Sequence, residues 1–330
     1  SSHFGSLAKS VDAMCRRRGG RCRRLCMRMK ACMRLAKQQE TEDTESSGAE
    51  TDSSDEEFWD WYESEDRDFD SLMFPPGFFF CGGEGQTASE LSFDGTGSAS
   101  LPRRQHAGQT HCWDDAEIAG VKVRSQAYLQ NGVKEQSAGS MLELRIVDLF
   151  RAEGSHDDAN YSESSGSAVR RLREDGDDRF LFVLNFRLQP LQLAIAWAAP
   201  EEPAWKATPS GQLFYNFCKA MHNNERNSRL KLLAKVVDGP WLVKACLPPK
   251  PVLIGQQCPV TYFESERYIE ASISCESSSL GRKLSQMLSG GSCVVALYVL
   301  VEGKTEDELP ERVLGGATLH HTDAAKLSTR

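Results

Sequence analysis

At 330 residues, with 40% apolar and 26% charged side chains, the chain is long enough for about two domains and a sizeable core. It holds no apolar run near the ~20 residues that a membrane-spanning helix needs. Its eleven cysteines are odd in number and include no C-x-x-C pair, which argues against a zinc ribbon or a secreted disulfide scaffold and fits reduced thiols in a cytosolic protein.

The net charge of −8 conceals two opposed blocks. Residues 1–37 carry eleven Lys/Arg against one Asp, and residues 40–70 carry fifteen acids against one Arg. Such blocks are tails or interaction segments rather than pieces of a fold, so 1–104 is expected to be a disordered tail. The chain opens at Ser1 rather than Met, which leaves room for residues upstream. In the basic part, 13–37, helical periodicity gathers Cys15, Cys22, Cys26, Met29 and Met33 on one narrow face, widened by Leu25, Cys32 and Ala36. Gly19-Gly20 interrupts the pattern and leaves 21–37 as a basic amphipathic helix. A helix of that kind lies on an anionic leaflet, and Cys15, Cys22, Cys26 and Cys32 are candidates for membrane contact or S-acylation. A tail that binds nucleic acid or a calmodulin-like protein has the same pattern.

In the acidic part, Ser53 and Ser54 precede Asp55-Glu56-Glu57 as candidate acceptors for an acidophilic kinase. Phe58, Trp59, Trp61 and Tyr62 among the acids suggest that 52–70 docks a protein partner. Residues 74–104 read as a Gly/Ser/Pro linker. Gly82-Gly83-Glu84-Gly85 lacks the strand, the terminal Gly-Lys-Ser/Thr and the helix of a phosphate loop.

The folded domain is expected over 105–325. Strands are expected at 120–129 and at 141–150, where Leu142, Leu144 and Ile146 alternate with Glu143, Arg145 and Val147. Residues 153–178 are polar and read as a mobile insertion. Two apolar runs, 180–188 and 191–199, form a hairpin around Gln189-Pro190. A helix opens at Ser210, with Leu213, Phe214, Phe217, Cys218 and Met221 on one face. Residues 223–255 read as a second hairpin, with the turn at Asp238-Gly239-Pro240 and the returning strand at 241–246. Further strands are expected at 258–263, 268–274 and 316–321, and 293–301 is the best central strand. Leu280, Leu284 and Leu288 mark a helix that Gly290-Gly291 stops. Thr305 and Glu308 are spaced as a capping box. Many strands, two or three helices and little βαβ alternation point to an α+β fold built mainly on antiparallel sheet.

Arg226, Arg229, Lys231, Lys235 and Lys244 are candidates for a basic patch that holds a phosphorylated lipid headgroup. The competing reading has Arg226 and Asn227 pin a loop while the lysines are ordinary solvated positions on an edge strand. Trp113, Trp197 and Trp241 read as core or rim aromatics, and Glu311 with Arg312 as an ion pair or loop clamp. His320-His321 lacks a Cys or carboxylate at metal spacing. No nucleophile elbow, catalytic carboxylate pair or His-Glu-x-x-His is present, and no cofactor motif.

Several segments match one family in the same order. They are Cys112-Trp113, VRSQAYL at 123–129, LELRIVDLF at 142–150, FLFVLNFRL at 180–188, RNSRLKLL at 226–233, GPWLVKA at 239–245, PVLIG at 251–255, Tyr268-Ile269-Glu270 and ELPERVLGG at 308–316. On these residues the chain resembles the C-terminal domain family of the plant Enhanced Disease Resistance 2 protein, over about 111–325. In plant relatives that domain follows pleckstrin-homology and START-type lipid-binding modules, neither of which is recognisable in these residues. The resemblance therefore implies a regulatory, lipid-linked protein peripheral to the cytoplasmic face of a membrane. The expected function is non-enzymatic binding of a membrane lipid, such as a phosphoinositide or another anionic lipid, rather than of nucleic acid. A protein-interaction module docking through its acidic aromatic segment is the first alternative, and a lipid or ester hydrolase the second. If the basic hairpin is the lipid site, Arg229→Glu with Lys231→Glu abolishes vesicle binding while the melting temperature stays unchanged.

Overall fold

The computed structural model describes residues 101–152, 160–201, 203–240, 243, 250–276 and 278–329. The tail expected over 1–104, with Cys15, Cys22, Cys26, Cys32, Ser53, Ser54 and the 52–70 segment, lies outside them except for its last four residues. So do Trp241 and Lys244. Residues 101–239 and 250–329 belong to one compact unit.

Among the described residues, twelve strands make two five-stranded sheets and one two-stranded ribbon. In chain order the first elements are β1 (Cys112–Asp115), β2 (Lys122–Arg124), the one-turn helix α1 (Tyr128–Asn131), β3 (Lys134–Gln136) and β4 (Glu143–Arg151). After α2 (Ala168–Glu174) come β5 (Leu181–Arg187), β6 (Leu191–Ala198), α3 (Pro209–Lys219), α4 (Asn223–Asn227) and β7 (Leu230–Asp238). The chain ends through β8 (Pro251–Leu253), α5 (Ile254–Gln257), β9 (Val260–Glu264), β10 (Tyr268–Ser274), α6 (Ser279–Ser289), β11 (Val294–Val301) and β12 (Gly315–His320). One sheet has the order β1-β12-β11-β7-β8 and the other β4-β6-β5-β10-β9. Every pairing of these strands is antiparallel except β5 with β10. The fold is α+β, as expected. Among the described residues no helix is long and apolar enough to cross a membrane.

The central strands of both large sheets are dry on both faces. All eight residues of β6 and all eight of β11 are buried. On the inner face of β5 and β6, Phe182 stacks on Trp197 and meets Phe214 and Phe217 of α3 edge-on, an arrangement favoured by the aromatic quadrupole. The indole of Trp197 also reaches the other sheet at Gly315, where a Cβ would lie 2.4 Å from its ring. The far face of the β11 sheet packs Leu233, Ala296 and Tyr298 under Val121 and Val123.

The far face of the other sheet is covered by part of the stretch expected to be a mobile insertion. Residues 153–159 lie outside the described residues, but a 3-10 turn at Tyr161–Glu163 and helix α2 seat Tyr161, Ala168 and Val169 against Ile146, Val183 and Ala196. Buried polar groups fasten this cover. Tyr161 donates its hydroxyl to Asp148 at 2.5 Å, and Glu270 accepts from the Tyr161 and Ser162 N–H groups, the Ser162 hydroxyl and Asn185. Asp148, Asn185 and Glu270 have no exposed surface. Burial pushes the Glu270 carboxyl above its ordinary value against the pull of those donors.

Other expectations need correcting. A register shift between Leu144 and Ile146 sets Leu144 opposite Trp197 and Ile146 opposite Ala196. The bulge turns Ile146 to the far face, so Leu142, Leu144 and Ile146 do not line one side. The strand expected at 120–129 is only Lys122–Arg124, because its second half turns into α1. The strand paired with β7 is Pro251–Leu253; 241–246 lies outside the described residues apart from Val243. Helix α3 ends at Lys219, which leaves Met221 90% exposed instead of on the core face.

Close approach at Gly315 sets a test. Gly315→Ala drives a methyl into the Trp197 indole and should cost about 1–3 kcal/mol, read as a lowered denaturant midpoint. Gly290→Ala, whose Cβ meets nothing nearer than 3.6 Å, should change it little. Equal midpoints for the two variants would refute this packing.

Candidate functional site

Of the five basic residues singled out from the sequence, the four that the structure describes do not form an exposed patch. Arg226 is buried and works as a clamp. Its guanidinium donates to the Phe217 and Cys218 carbonyls at the end of α3, pairs with Glu264 at 3.0 Å and stands 5.2 Å over the Tyr262 ring. Lys231 is buried between Glu302 at 3.0 Å and Glu311 at 2.9 Å. Arg229 pairs with Glu308 at 2.8 Å and donates to the Glu302 carbonyl. Burial raises the Glu308 carboxyl, but Arg229 and the Lys304 and Thr305 N–H groups outweigh it and hold Glu308 below the usual carboxylate range. Arg124 joins the group through Glu302 at 3.3 Å.

Three cations and three carboxylates thus neutralise one another where the ends of β7 and β11 meet the Gly303–Arg312 loop. Glu311 also accepts from the Gly303 and Arg124 N–H groups, and Arg312 donates to the Gly139 and Ser140 carbonyls. Both residues are loop clamps. Lys235 is exposed, and Lys244 lies outside the described residues. His320 and His321 diverge: His320 bonds Asp114 at 2.9 Å, whereas His321, at φ 47°, has left the strand and bonds the Gly291 carbonyl. Trp113 and Trp197 are core residues at 7% and 1% exposure.

The concave surface lies elsewhere. A cleft of about 980 Å³ opens at the end of the β5–β6–β10 sheet where β5 begins, beside the 3-10 turn Pro203–Ala207 and α3. Its size is that of a site for a small organic ligand. Phe180, Phe214 and Ile269 give it an apolar floor. Thr208 caps α3 by accepting from the Gly211 N–H, and Pro209 opens the helix. This start turns Leu213, Phe214 and Phe217 inward and leaves Tyr215 and Lys219 exposed, one turn apart.

On that wall the Lys206 ammonium sits 5.5 Å from the Trp205 ring and 5.8 Å from the Tyr215 ring. Such contacts stabilise a cation by about 0.5–1 kcal/mol at an exposed site. Among the described residues neither Lys206 nor Lys219 has an ion-pair partner.

The opposite rim is acidic, and half of its carboxylates are paired. Asp177 pairs with Arg179 at 2.7 Å and Arg145 at 3.2 Å, Glu264 with Arg226 and Asp178 with Arg267. The Arg179 hydrogen bond holds the Asp177 carboxyl down at about 2. Asp175, Glu201 and Glu266 complete that rim in solvent. The cleft therefore presents an apolar floor and an aromatic wall with two unpaired ammonium groups. Across from that wall, Asp175, Glu201 and Glu266 have no ion-pair partner among the described residues, so an amphiphile with an anionic group is suited only to the Lys206–Lys219 side. Lys206, Lys219, Trp205 and Tyr215 carry no motif. Their one trace in the sequence is the polar stripe of a helix whose apolar stripe is easily read.

Comparison with known proteins gives two findings. The family described as "Protein ENHANCED DISEASE RESISTANCE 2, C-terminal" matches residues 113–323. The "Protein ENHANCED DISEASE RESISTANCE 2-like" of Arabidopsis thaliana is 25% identical over 228 residues, which are 68% of this chain and 31% of that protein. The chain thus spans about a third of the length of that relative. No solved structure matches it significantly.

The buried ion network predicts the behaviour of two variants. Glu311→Ala leaves Lys231 without its closer partner and should cost about 3–5 kcal/mol in chemical denaturation. Arg229→Glu with Lys231→Glu should lower the melting temperature sharply, contrary to the expectation for a lipid patch. A double variant that melts like the wild type would overturn this placement.

Proposed function

Because the chain belongs to the Enhanced Disease Resistance 2 C-terminal family, we propose that it is a non-enzymatic, lipid-binding regulatory protein peripheral to the cytoplasmic face of a membrane. Its ligand is an anionic membrane lipid, held in the cleft between α3 and the start of β5. The observation that carries this reading is the pair Lys206 and Lys219, both exposed and unpaired among the described residues, beside an aromatic wall and an apolar floor. Acyl carbons gain by covering the accessible parts of Phe180, Trp205 and Tyr215. A phosphate or carboxylate gains from the two ammonium groups, as Lys/Arg near an anionic leaflet each contribute about 1 kcal/mol. The basic segment 13–37, with its cysteines, adds a second attraction to the same surface, and two signals are what stable peripheral anchoring takes.

The test is co-sedimentation of the full chain with vesicles of neutral phosphatidylcholine, of phosphatidylserine and of phosphoinositide. The wild type should bind anionic vesicles, less so as salt rises. Lys206→Glu with Lys219→Glu should weaken that binding at least tenfold, about 1.4 kcal/mol. The melting temperature should change little, because Lys219 has no ion-pair partner among the described residues and the ring contacts of Lys206 are exposed and weak. Unaltered binding by the double variant would remove the cleft from the account. A salt-tolerant protein complex without vesicle binding would replace the lipid reading by the interaction module. Ester turnover stopped by a serine or cysteine reagent would replace it by the hydrolase.

A further inference from the structure

The hairpin of β9 and β10 bears on its open end two thiols that neither the fold nor the cleft accounts for. Cys258 closes α5 just before β9, and Cys275 follows β10. The register of the hairpin runs Ile269 opposite Glu264 through Ile273 opposite Val260. Carried two residues on, it sets Cys258 opposite Cys275. The residues between them, Pro259 and Ser274, are joined by the Ser274 N–H donating to the Pro259 carbonyl, while the Cys275 N–H turns away to the Arg187 carbonyl on β5. Cys258 and Cys275 thus occupy a non-hydrogen-bonded cross-strand position, where opposed Cα atoms stand about 4.5 Å apart. That separation falls inside the range that a disulfide spans. Their sulfurs are 3.3 Å apart, and the residues are 3% and 1% exposed.

We infer that Cys258 and Cys275 are a thiol–disulfide site, closed by a small oxidant such as hydrogen peroxide into a cross-strand bond at the open end of the β9–β10 hairpin. One thiol, deprotonated, attacks a peroxide oxygen; the O–O bond breaks and leaves a sulfenic acid and, with the released proton, water. The second sulfur attacks that sulfenic sulfur, the S–S bond forms, and a second water leaves. Two thiols are oxidised, one peroxide is reduced, and two waters are the products.

The two sulfurs are not equivalent. The hydrogen bond shared by the two sulfurs brings the Cys258 thiol below its ordinary value and pushes Cys275 up. The other described thiols have different surroundings. Cys112 donates to the Gln109 carbonyl, Cys293 lies 3.6 Å from the Ser292 hydroxyl, and burial pushes Cys218 up to about 12. The bond would also bear on α6, since the Ser278 hydroxyl that caps it donates to the Cys275 carbonyl and Gly281 packs against that same carbonyl.

The experiment treats the folded full chain with submillimolar hydrogen peroxide, blocks remaining thiols by alkylation and digests with trypsin. The expected product is peptide 245–267 joined to peptide 268–282, with fragmentation placing the link at Cys258 rather than Cys246. Cys258→Ser and Cys275→Ser should each lack it. The oxidised wild type should melt several degrees higher than the reduced protein, and the variants should show no such peroxide-dependent shift. The wild-type digest decides the matter even if a variant folds poorly. Full alkylation of both thiols after peroxide, a link to any other cysteine, or a link that forms only after unfolding in urea would each overturn the assignment.

Discussion

Exclusion of water from both faces of the central strands in both sheets is the constraint on which the rest of this structure depends. A strand such as β11, VVALYVLV, cannot rest one face on solvent, and neither can β6, where even the far-face positions Ala194, Ala196 and Ala198 are buried. Two sheets facing each other satisfy only their inner surfaces. The outer ones need separate covers, and the chain supplies them from a loop running into β2 on one side, 116–123, and from short helical turns on the other, 160–174. Since those covers lack long apolar runs, hydrogen bonds share the work. Glu270 takes four donors and Asp148 takes the Tyr161 hydroxyl where a simpler sheet would carry leucines. Polar groups so placed are costly unless paired, and their pairing specifies one seating of the cover.

The same layering explains what was legible in the amino-acid order. Continuous apolar strands announced themselves, as did the helix around Leu284 and Leu288, the capping box at Thr305 and Glu308, and the antiparallel α+β class. Local rules suffice for each, because burial on both faces and helix capping are written in neighbouring residues. The segment 160–174 read as solvated because its composition is polar; that its hydroxyls and N–H groups meet Asp148 and Glu270, over 100 residues away in one case, leaves no local mark. The bulge at Arg145 was equally silent, since one added residue alters every subsequent facing without altering the alternation itself.

The candidate site was less legible than the fold. Alternation placed Arg229 and Lys231 on one side of a strand and correctly separated them from the inner face. It could not say that the other side meets Glu302, Glu308 and Glu311 rather than water. Charge in a strand marks exposure only where nothing further is stacked on it. Lys206 and Lys219, by contrast, lie on a helix and its approach, in a region without repetition or motif. What distinguishes them is the lack of a carboxylate within reach among the described residues, a property of three-dimensional neighbours alone.

The parallel pairing of β5 with β10 bears on how this domain comes together. Strands 143–198 make one part of the second sheet and 260–274 the other, while α3 and β7, the latter a central strand of the opposite sheet, lie between them in the chain. Each sheet is therefore completed only after chain belonging to its neighbour has been laid down. Neither is a subdomain that can be excised or folded ahead of the other. Closing the β5–β10 seam joins residues more than 80 positions apart, and such distant pairings fold slowly. Loss of that seam would open both layers together, so the interleaving binds two sheets into one cooperative unit.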